Sequence, residues 1–375
     1  MQDKVTILHV TNWFPSKIKP HKGKWIYSQI SSLNNYFNNE IVHIEVIPGK
    51  FDYKISKISN MIYSFIFIFP YKRWFINEIL TAILFMMVVY KKHKVNNYCL
   101  INIHIAYPLL IYFKFFKYFF NVPIVINEHW SAYHYKFNLT NKKKIKKIAQ
   151  IFKNGIPIIT VSKALMNDIN KFSKISNTFH IVPNAINTDI FYNFNHSRIE
   201  YQFFMCSLWQ YPKNPFPIIH LIAKLNVILP KLKLHIGGYG DQTSEMNSLI
   251  SFLKLNDNIT LLGELTSNQI AEQLNQSSAF IHSSDYETFS TVCAESLCCG
   301  TPVISSNVGG IKEYITPECG IMINNNKINE FETAIKFVIN NSNYYNYNKI
   351  SDYGINKFSL SSVGKIYSKT IHKYI

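Results

Sequence analysis

The chain has 375 residues, 47% of them hydrophobic, which is long enough for two domains of ordinary size and too apolar for general disorder. Lys and Arg total 39 against 22 Asp and Glu, a formal net charge of +17. Arginine occurs only at Arg73 and Arg198, so no arginine cluster exists to read base edges, and no nucleic acid is expected as a partner.

An excess of lysine suits anionic lipid or a phosphate-bearing substrate better. The six cysteines (Cys99, Cys206, Cys293, Cys298, Cys299, Cys319) are scattered or adjacent and form no C-x-x-C pair. They read as small buried hydrophobes in a reducing compartment, with no metal spacing. The first ten residues enter a strand at once and lack the pattern of a signal peptide, so a cytoplasmic location is expected.

In chain order, residues 5–10 predict the first strand of an α/β domain. The loop over 11–24 carries Asn12, Pro15, Pro20 and Gly23, a helix begins near Trp25, and residues 41–47 predict a second strand. Residues 56–121 hold three strongly apolar and aromatic runs, at 61–70, 79–90 and 107–120. None reaches the roughly 18 uncharged apolar residues of a spanning helix. The run 79–90 reads as a buried helix over the sheet. The run 107–120, interrupted only by Lys114 and Lys117, reads as a helix half-inserted in an anionic membrane surface with snorkelling lysines; burial in the domain core is the competing reading.

Residues 122–126 predict a strand that emerges at Asn127-Glu128-His129-Trp130, where a lone histidine suits a structural role as well as a functional one. A lysine-rich helix face (142–148), a buried strand (156–162) and a helix from Lys163 follow. After a linker at 192–200, strands and helices alternate again from Tyr201. Residues 232–236 predict a strand running into Gly237-Gly238-Tyr239-Gly240-Asp241. The G-x-G-x-x-G spacing is incomplete and no acidic residue follows at the right distance, so this is no dinucleotide fingerprint. A strand at 259–263 and a helix at 265–274 come next.

The stretch 281–313 reads as strand, loop, helix, strand and Gly-Gly turn, the layout of a ligand crevice at the carboxyl ends of parallel strands. Glu287 lies in the loop before its helix, and Glu295 lies on that helix. The unpaired amides near Ser290, Thr291 and Val292 suit a phosphate, and the two carboxylates suit flanking hydroxyls. Solvated helix charges are the plainer alternative. Farther on, residues 328–339 predict a helix with Phe331, Ala334, Ile335 and Val338 inward, and a last helix spans 360–374.

Residues 287–313, E-T-F-S-T-V-C-A-E-S-L-C-C-G-T-P-V-I-S-S-N-V-G-G-I-K-E, resemble the donor-site signature of retaining glycosyltransferases of the glycogen-synthase-like family 4 group, the bacterial polysaccharide and glycolipid assembly type. Thr288 and Ser290 stand where that group usually has glycine. The resemblance implies an α/β protein of GT-B fold, with two Rossmann-like α/β/α domains facing each other across a cleft. Residues 1–191 would bind the acceptor, 192–359 the nucleotide-sugar, and 360–375 would form a helix crossing back to the first domain.

It also implies roles for particular residues. His129, Glu287 and Lys213 would be catalytic. Gly23, Ser207, Gly238, Ser290, Thr291, Val292 and Glu295 would bind the donor, with Ser207 at a position usually held by arginine. Glu128 would shape the acceptor side. The implied partners are a UDP- or GDP-sugar, a surface-polysaccharide or lipid-linked glycan acceptor, and an anionic membrane met peripherally from the cytoplasmic face. No cofactor or required metal is implied. A GT-B nucleotide-sugar epimerase and a non-catalytic nucleotide-sugar or glycan-binding subunit are the alternatives.

Overall fold

The computed structural model describes residues 4–15, 22–70, 74–115, 121–324 and 327–375. Two compact units account for it, one made of Met1–Ala185 with Val363–Ile375 and the other of Ile186–Ser362. Residues 186–191, read above as the end of the first domain, fall in the second unit. The reason is local: the Ile186 N–H donates to the Phe358 carbonyl (2.8 Å), and Ile186 bridges to Ser359.

The first unit runs β1 (Thr6–Thr11), α1 (Lys24–Ser31), β2 (Asn38–Pro48), β3 (Asp52–Ser59), β4 (Ile62–Phe69), α2 (Trp74–Val95), β5 (Tyr98–His104), β6 (Ile124–Glu128), α3 (Lys142–Ala149), β7 (Ile158–Thr160), α4 (Lys163–Ser173) and β8 (Phe179–Ile181). Its sheet has the order β3-β4-β2-β1-β5-β6-β7-β8. All neighbours are parallel except β3 and β4, which form an antiparallel hairpin. Strands β1, β5 and β6 are buried along almost their whole length, as parallel strands with both faces covered must be.

The three apolar runs have different fates. Residues 62–69 become β4, because alternating aromatic and β-branched side chains fit a pleated surface better than a helix. Residues 79–90 lie within α2, as expected. The half-inserted helix expected over 107–120 does not form in 107–115. Residues 107–112 are turn, followed by one 3₁₀ turn at Phe113–Phe115, with Leu109, Leu110, Ile111 and Phe113 buried in the core. Residues 116–120 lie outside the described residues.

The last helix, α11 (Leu360–Ile371), packs on the first unit through a buried polar network. Tyr367 Oη accepts from Asn102 Nδ2 and from Asn127 Nδ2 (2.7 Å), and Asn127 Nδ2 also reaches Gln29 Oε1 on α1 (2.9 Å). At Gly364 a Cβ would stand 2.1 Å from the Ser32 carbonyl, so only glycine permits this approach. Beside the network, His9 Nδ1 lies 3.1 Å from His104 Nε2, and His9 Nε2 lies 3.0 Å from Asn39 Oδ1.

The second unit runs β9 (Ile199–Leu208), α5 (Phe216–Asn226), β10 (Lys233–Tyr239), α6 (Thr243–Phe252), β11 (Ile259–Gly263), α7 (Ser267–Gln276), β12 (Ser277–His282), α8 (Thr291–Cys298), β13 (Val303–Ser306), β14 (Gly320–Ile323), α9 (Ile328–Asn340) and α10 (Tyr347–Phe358). Its all-parallel sheet is ordered β11-β10-β9-β12-β13-β14. Numbered from β9 this is 3-2-1-4-5-6, a doubly wound sheet whose strand order reverses between β9 and β12. Arg198 sits behind that junction, donating to the carbonyls of Leu274 and Cys299 and to Thr301 Oγ1. Against α8, the Gly354 backbone of α10 approaches so closely that a Cβ would stand 2.6 Å from Cys298 N.

Candidate functional site

The candidate site grows from the loops that leave β9 and β12, the two strands flanking the reversal. Backbone contacts zip these loops together. The Asn214 N–H donates to the Ser283 carbonyl (3.1 Å), the Asp285 N–H donates to the Pro212 carbonyl (2.9 Å), and Lys213 bridges to Ser284. This zipper brings Lys213 to Glu287 across a long sequence separation, with Lys213 Nζ paired to Glu287 Oε1. The same oxygen lies 3.0 Å from His282 Nε2, and His282 Nδ1 lies 3.1 Å from Ser305 Oγ. Burial pushes the Lys213 ammonium down to about 8. Burial, and next the Lys213 charge, hold the His282 imidazole well below its usual range, so His282 is neutral and orients the carboxylate.

The Gly309-Gly310 turn clamps the backbone of Glu287. The Gly310 N–H donates to the Glu287 carbonyl (3.0 Å), and a Cβ on Gly309 (φ +51°) would stand 1.6 Å from that oxygen. Tyr314 Oη, from the turn that follows, donates to the carbonyl of Phe289 (2.6 Å). Helix α8 therefore starts from a fixed loop. Its N-cap, Ser290, has φ +64° and makes no side-chain cap to the helix amides; its hydroxyl donates instead to Cys293 Sγ (3.2 Å). The first amides of α8, at Thr291 and Val292, have no intrahelical carbonyl to bond, an arrangement that suits an anion. Glu295 is half-buried one turn on, its charge helping to raise the Cys206 and Cys293 thiols, each to about 12, behind burial as the main cause.

On the other side of the junction, Gly238 pairs with Ser207 across β10 and β9, and a Cβ on Gly238 (φ +103°) would stand 1.8 Å from the Ser207 carbonyl. Gly240 approaches the Trp209 carbonyl in the same way (2.2 Å). These glycines bring backbones together, which is why the segment has glycines without a dinucleotide motif. The second unit thus assembles Lys213, Glu287, Glu295 and the start of α8, with Ser207 and Gly238 on the adjoining strand ends.

In the first unit, Gly23 (φ +75°) begins α1, and its Cα packs where a Cβ would stand 2.4 Å from the Trp13 carbonyl. His129 follows β6 and stacks on His104 (centroids 5.9 Å, 17° apart). Burial depresses its pKa to about 3 against a smaller opposing effect of Asn184, so it is a neutral imidazole.

Glu128 closes β6, one residue before His129. It is fully buried, and its carboxylate accepts from the Ala106 N–H (2.7 Å), Tyr133 Oη (2.6 Å) and the His129 N–H (3.3 Å). It staples the loops around His129. Burial raises its pKa to about 7 against those hydrogen bonds.

His282 was not singled out from the sequence, although a histidine closing a strand five residues before Glu287 was a usable signal. Among the described residues no group of His, Cys, Asp or Glu is arranged to hold a metal.

Residues 193–357 match the family model described as Glycosyl transferases group 1. Sucrose-phosphate synthase from Thermosynechococcus elongatus superposes with a TM-score of 0.78 over 99% of both chains, at 16% identity. The chain has the GT-B fold. Anabaena HepE, solved in complex with UDP, is a second GT-B likeness, with a TM-score of 0.75 at 14% identity over 98% of this chain and 100% of that one. Among curated proteins, the gpi3 subunit of phosphatidylinositol N-acetylglucosaminyltransferase from Schizosaccharomyces pombe is 29% identical over 98 residues, 26% of this chain and 22% of that protein. An uncharacterized glycosyltransferase of Methanocaldococcus jannaschii is 25% identical over 254 residues, 64% of this chain and 66% of the relative. The GT-B chain thus spans less than two thirds of the length of either curated relative. The family match covers nearly all of the second GT-B unit, the one that holds Lys213 and Glu287.

Proposed function

We propose that the chain is a retaining glycosyltransferase that moves a sugar from a UDP- or GDP-sugar to a surface-polysaccharide or lipid-linked glycan acceptor. The observation that carries this reading is the Lys213–Glu287 pair at the strand-order reversal of the second unit, beside the uncapped start of α8. The group 1 match and the UDP-bound HepE likeness support it.

The chemistry follows from the charges. A leaving nucleoside diphosphate gathers negative charge as the glycosidic bond breaks, and preformed cations and dipoles stabilise that charge most where water is excluded. Lys213 leaves its carboxylate partner for the phosphates, and the amides of Thr291 and Val292 complete the site. Glu287, released from the ammonium and still held by His282, accepts from hydroxyls of the transferred sugar. Glu295 takes the ribose diol, Ser207 and Gly238 line the phosphate path, and neutral His129 hydrogen-bonds the sugar. Lys213 and the helix amides supply the charge compensation, and this reading calls for no divalent metal.

The test is a screen of UDP-, GDP- and ADP-sugars for slow hydrolysis or transfer. With the productive donor, Glu287→Ala is expected to lower kcat/KM about 100-fold, about 2.7 kcal/mol of transition-state stabilisation. Near-normal transfer by a folded variant removes Glu287 from the reaction.

Peripheral docking on an anionic membrane belongs to the same proposal, and its support now lies outside residues 107–115. Among the described side chains of helix α2, Ile79, Ile83, Met87 and Tyr90 form an exposed stripe that ends in exposed Lys91, Lys94 and Val95. Apolar side chains leading to lysines suit the headgroup boundary. Among the described residues no helix is long and apolar enough to cross a membrane. Wild-type protein is expected to sediment with anionic vesicles at low salt, and Ile83→Ser with Met87→Ser to release it. A wild type that never sediments ends the membrane role.

A further inference from the structure

A cavity of about 320 Å³ lies between helix α7 and the segment leading into β9. On α7, Asn268, Glu272, Asn275 and Gln276 line it, spaced i, i+4, i+7 and i+8, so they share one helix face. Opposite stand Tyr192 and Phe194, whose rings meet edge to face at 4.8 Å, together with Asp189. The wall is preorganised. Asn275 Oδ1 accepts from the Phe194 N–H (2.9 Å), and Asn275 Nδ2 donates to the Tyr192 carbonyl (3.0 Å). One buried asparagine therefore fixes both aromatic residues by their backbone.

This cavity is remote from Lys213 and Glu287. Residues 192–196 precede the first residue of β9, and Gln276 directly precedes β12, so this wall adjoins the amino ends of the strands. Lys213 and Glu287 follow the carboxyl ends of the same two strands. The ten residues of β9 alone span about 33 Å.

We propose that the cavity is an accessory saccharide site, taking one or two pyranose rings apart from the transfer reaction. Its chemistry selects that class. No lysine or arginine lines it in a chain of net charge +17, its basic side chain is the exposed His196, and two carboxylates face that imidazole's single potential charge, which argues against a phosphate. Tyr192 and Phe194 offer ring faces for the apolar C–H face of a pyranose. Gln276 Nε2 donates to Glu272 Oε1 (3.2 Å), which ties these two side chains together on the wall. Asp189 and the other oxygen of Glu272 accept from hydroxyls, Gln276 Oε1 accepts, and the Asn268 amide both donates and accepts, matching hydroxyls that do both. An ammonium ligand would only donate, leaving the Asn268 amide N–H groups unused. A few placed polar groups on an aromatic wall, in a cavity of this size, are what a small polar ligand needs.

The experiment is saturation-transfer difference NMR on the full chain. The probes are the methyl glycosides of glucose, galactose, mannose and N-acetylglucosamine, with maltose as a disaccharide and choline as a cationic control. At least one sugar probe is expected to be saturated through its ring C–H protons, by wild type and by Glu287→Ala alike. That signal is expected to fall at least tenfold in Tyr192→Ala and in Glu272→Gln. Should Tyr192→Ala fail to fold, Asn268→Tyr fills the cavity from an exposed position and makes the same demand. No sugar signal, a signal lost in Glu287→Ala but kept when the cavity is altered, or saturation of choline alone each overturns the proposal. The readout is binding without turnover, so its failure is separate from failure of the transferase reading.

Discussion

Lys213 has its character from the backbone around it. Zipped against residues 283–285, it is held beside Glu287 and out of bulk water, and burial brings its ammonium to about 8. A lysine with a lowered pKa keeps its charge below that value and loses it above. If the charge stabilises the leaving diphosphate, kcat/KM falls as pH rises through about 8, because that ratio reports the free enzyme. Lys213→Arg, which stays charged, is expected to lose the alkaline limb of the profile even if its turnover is lower. A wild-type profile flat to pH 10 takes Lys213 out of the chemistry. At this scale the motif spacing made Glu287, Glu295 and the start of α8 legible. The partners of Glu287 were not: His282 contacts it through a loop conformation, and Gly309 meets its carbonyl through space. Glu128 shows the same limit. A sequence displays a carboxylate but not the three donors that converge on it.

Elements with one buried face were read well. Helix α9 buries Phe331, Ala334, Ile335 and Val338, the four residues its periodicity selects. Continuous apolar runs were harder, because they have no period to choose strand or helix. Residues 62–69 became a strand, 79–90 a helix, and 107–113 a buried turn segment. Helix α10 went unread, its anchors being Gly354 and Ser351, small residues whose value appears only against α8. Helix α11 was read, and its fastening tests the packing argument. Tyr367→Phe removes the shared acceptor of Asn102 and Asn127; Asn127 Nδ2 keeps Gln29 Oε1 and Asn102 Nδ2 keeps His9 Nδ1 (3.3 Å), so the expected loss is that of ordinary hydrogen bonds, about 0.5–1.5 kcal/mol each. Urea unfolding is the measurement, and an unchanged midpoint shows that the tyrosine contributes packing alone.

For the whole molecule, the alternation of strands and helices made two α/β units legible, and the strand orders could not be read until the sheets were seen. The first sheet carries a liability that composition hides. His9 is fully buried, and burial lowers its pKa to about 4, only partly offset by its bond to Asn39. An unfolded histidine titrates near 6.5, so between about 6.5 and 4 the unfolded chain binds the extra proton. Its contribution to stability is complete above pH 6.5 and is lost as pH falls towards 4, on the order of 3 kcal/mol. The unfolding free energy is expected to drop over that window, and His9→Asn to flatten the drop. Equal stability at pH 7 and pH 4.5 would mean that the buried imidazole relaxes to reach water on protonation.

The return of the chain to its first unit also has a consequence for how the protein is made. Val363–Ile375 completes the unit that Met1–Ala185 begins, with all of Ile186–Ser362 threaded between them. At about 5–20 residues per second, the ribosome therefore leaves the amides of Asn102 and Asn127 without their tyrosine for on the order of ten seconds or more. During that interval the second unit is free to fold as a contiguous piece while the first, though translated earlier, waits. The order of synthesis and the order of completion are thus reversed, and the nascent first unit is the form that chaperones would meet.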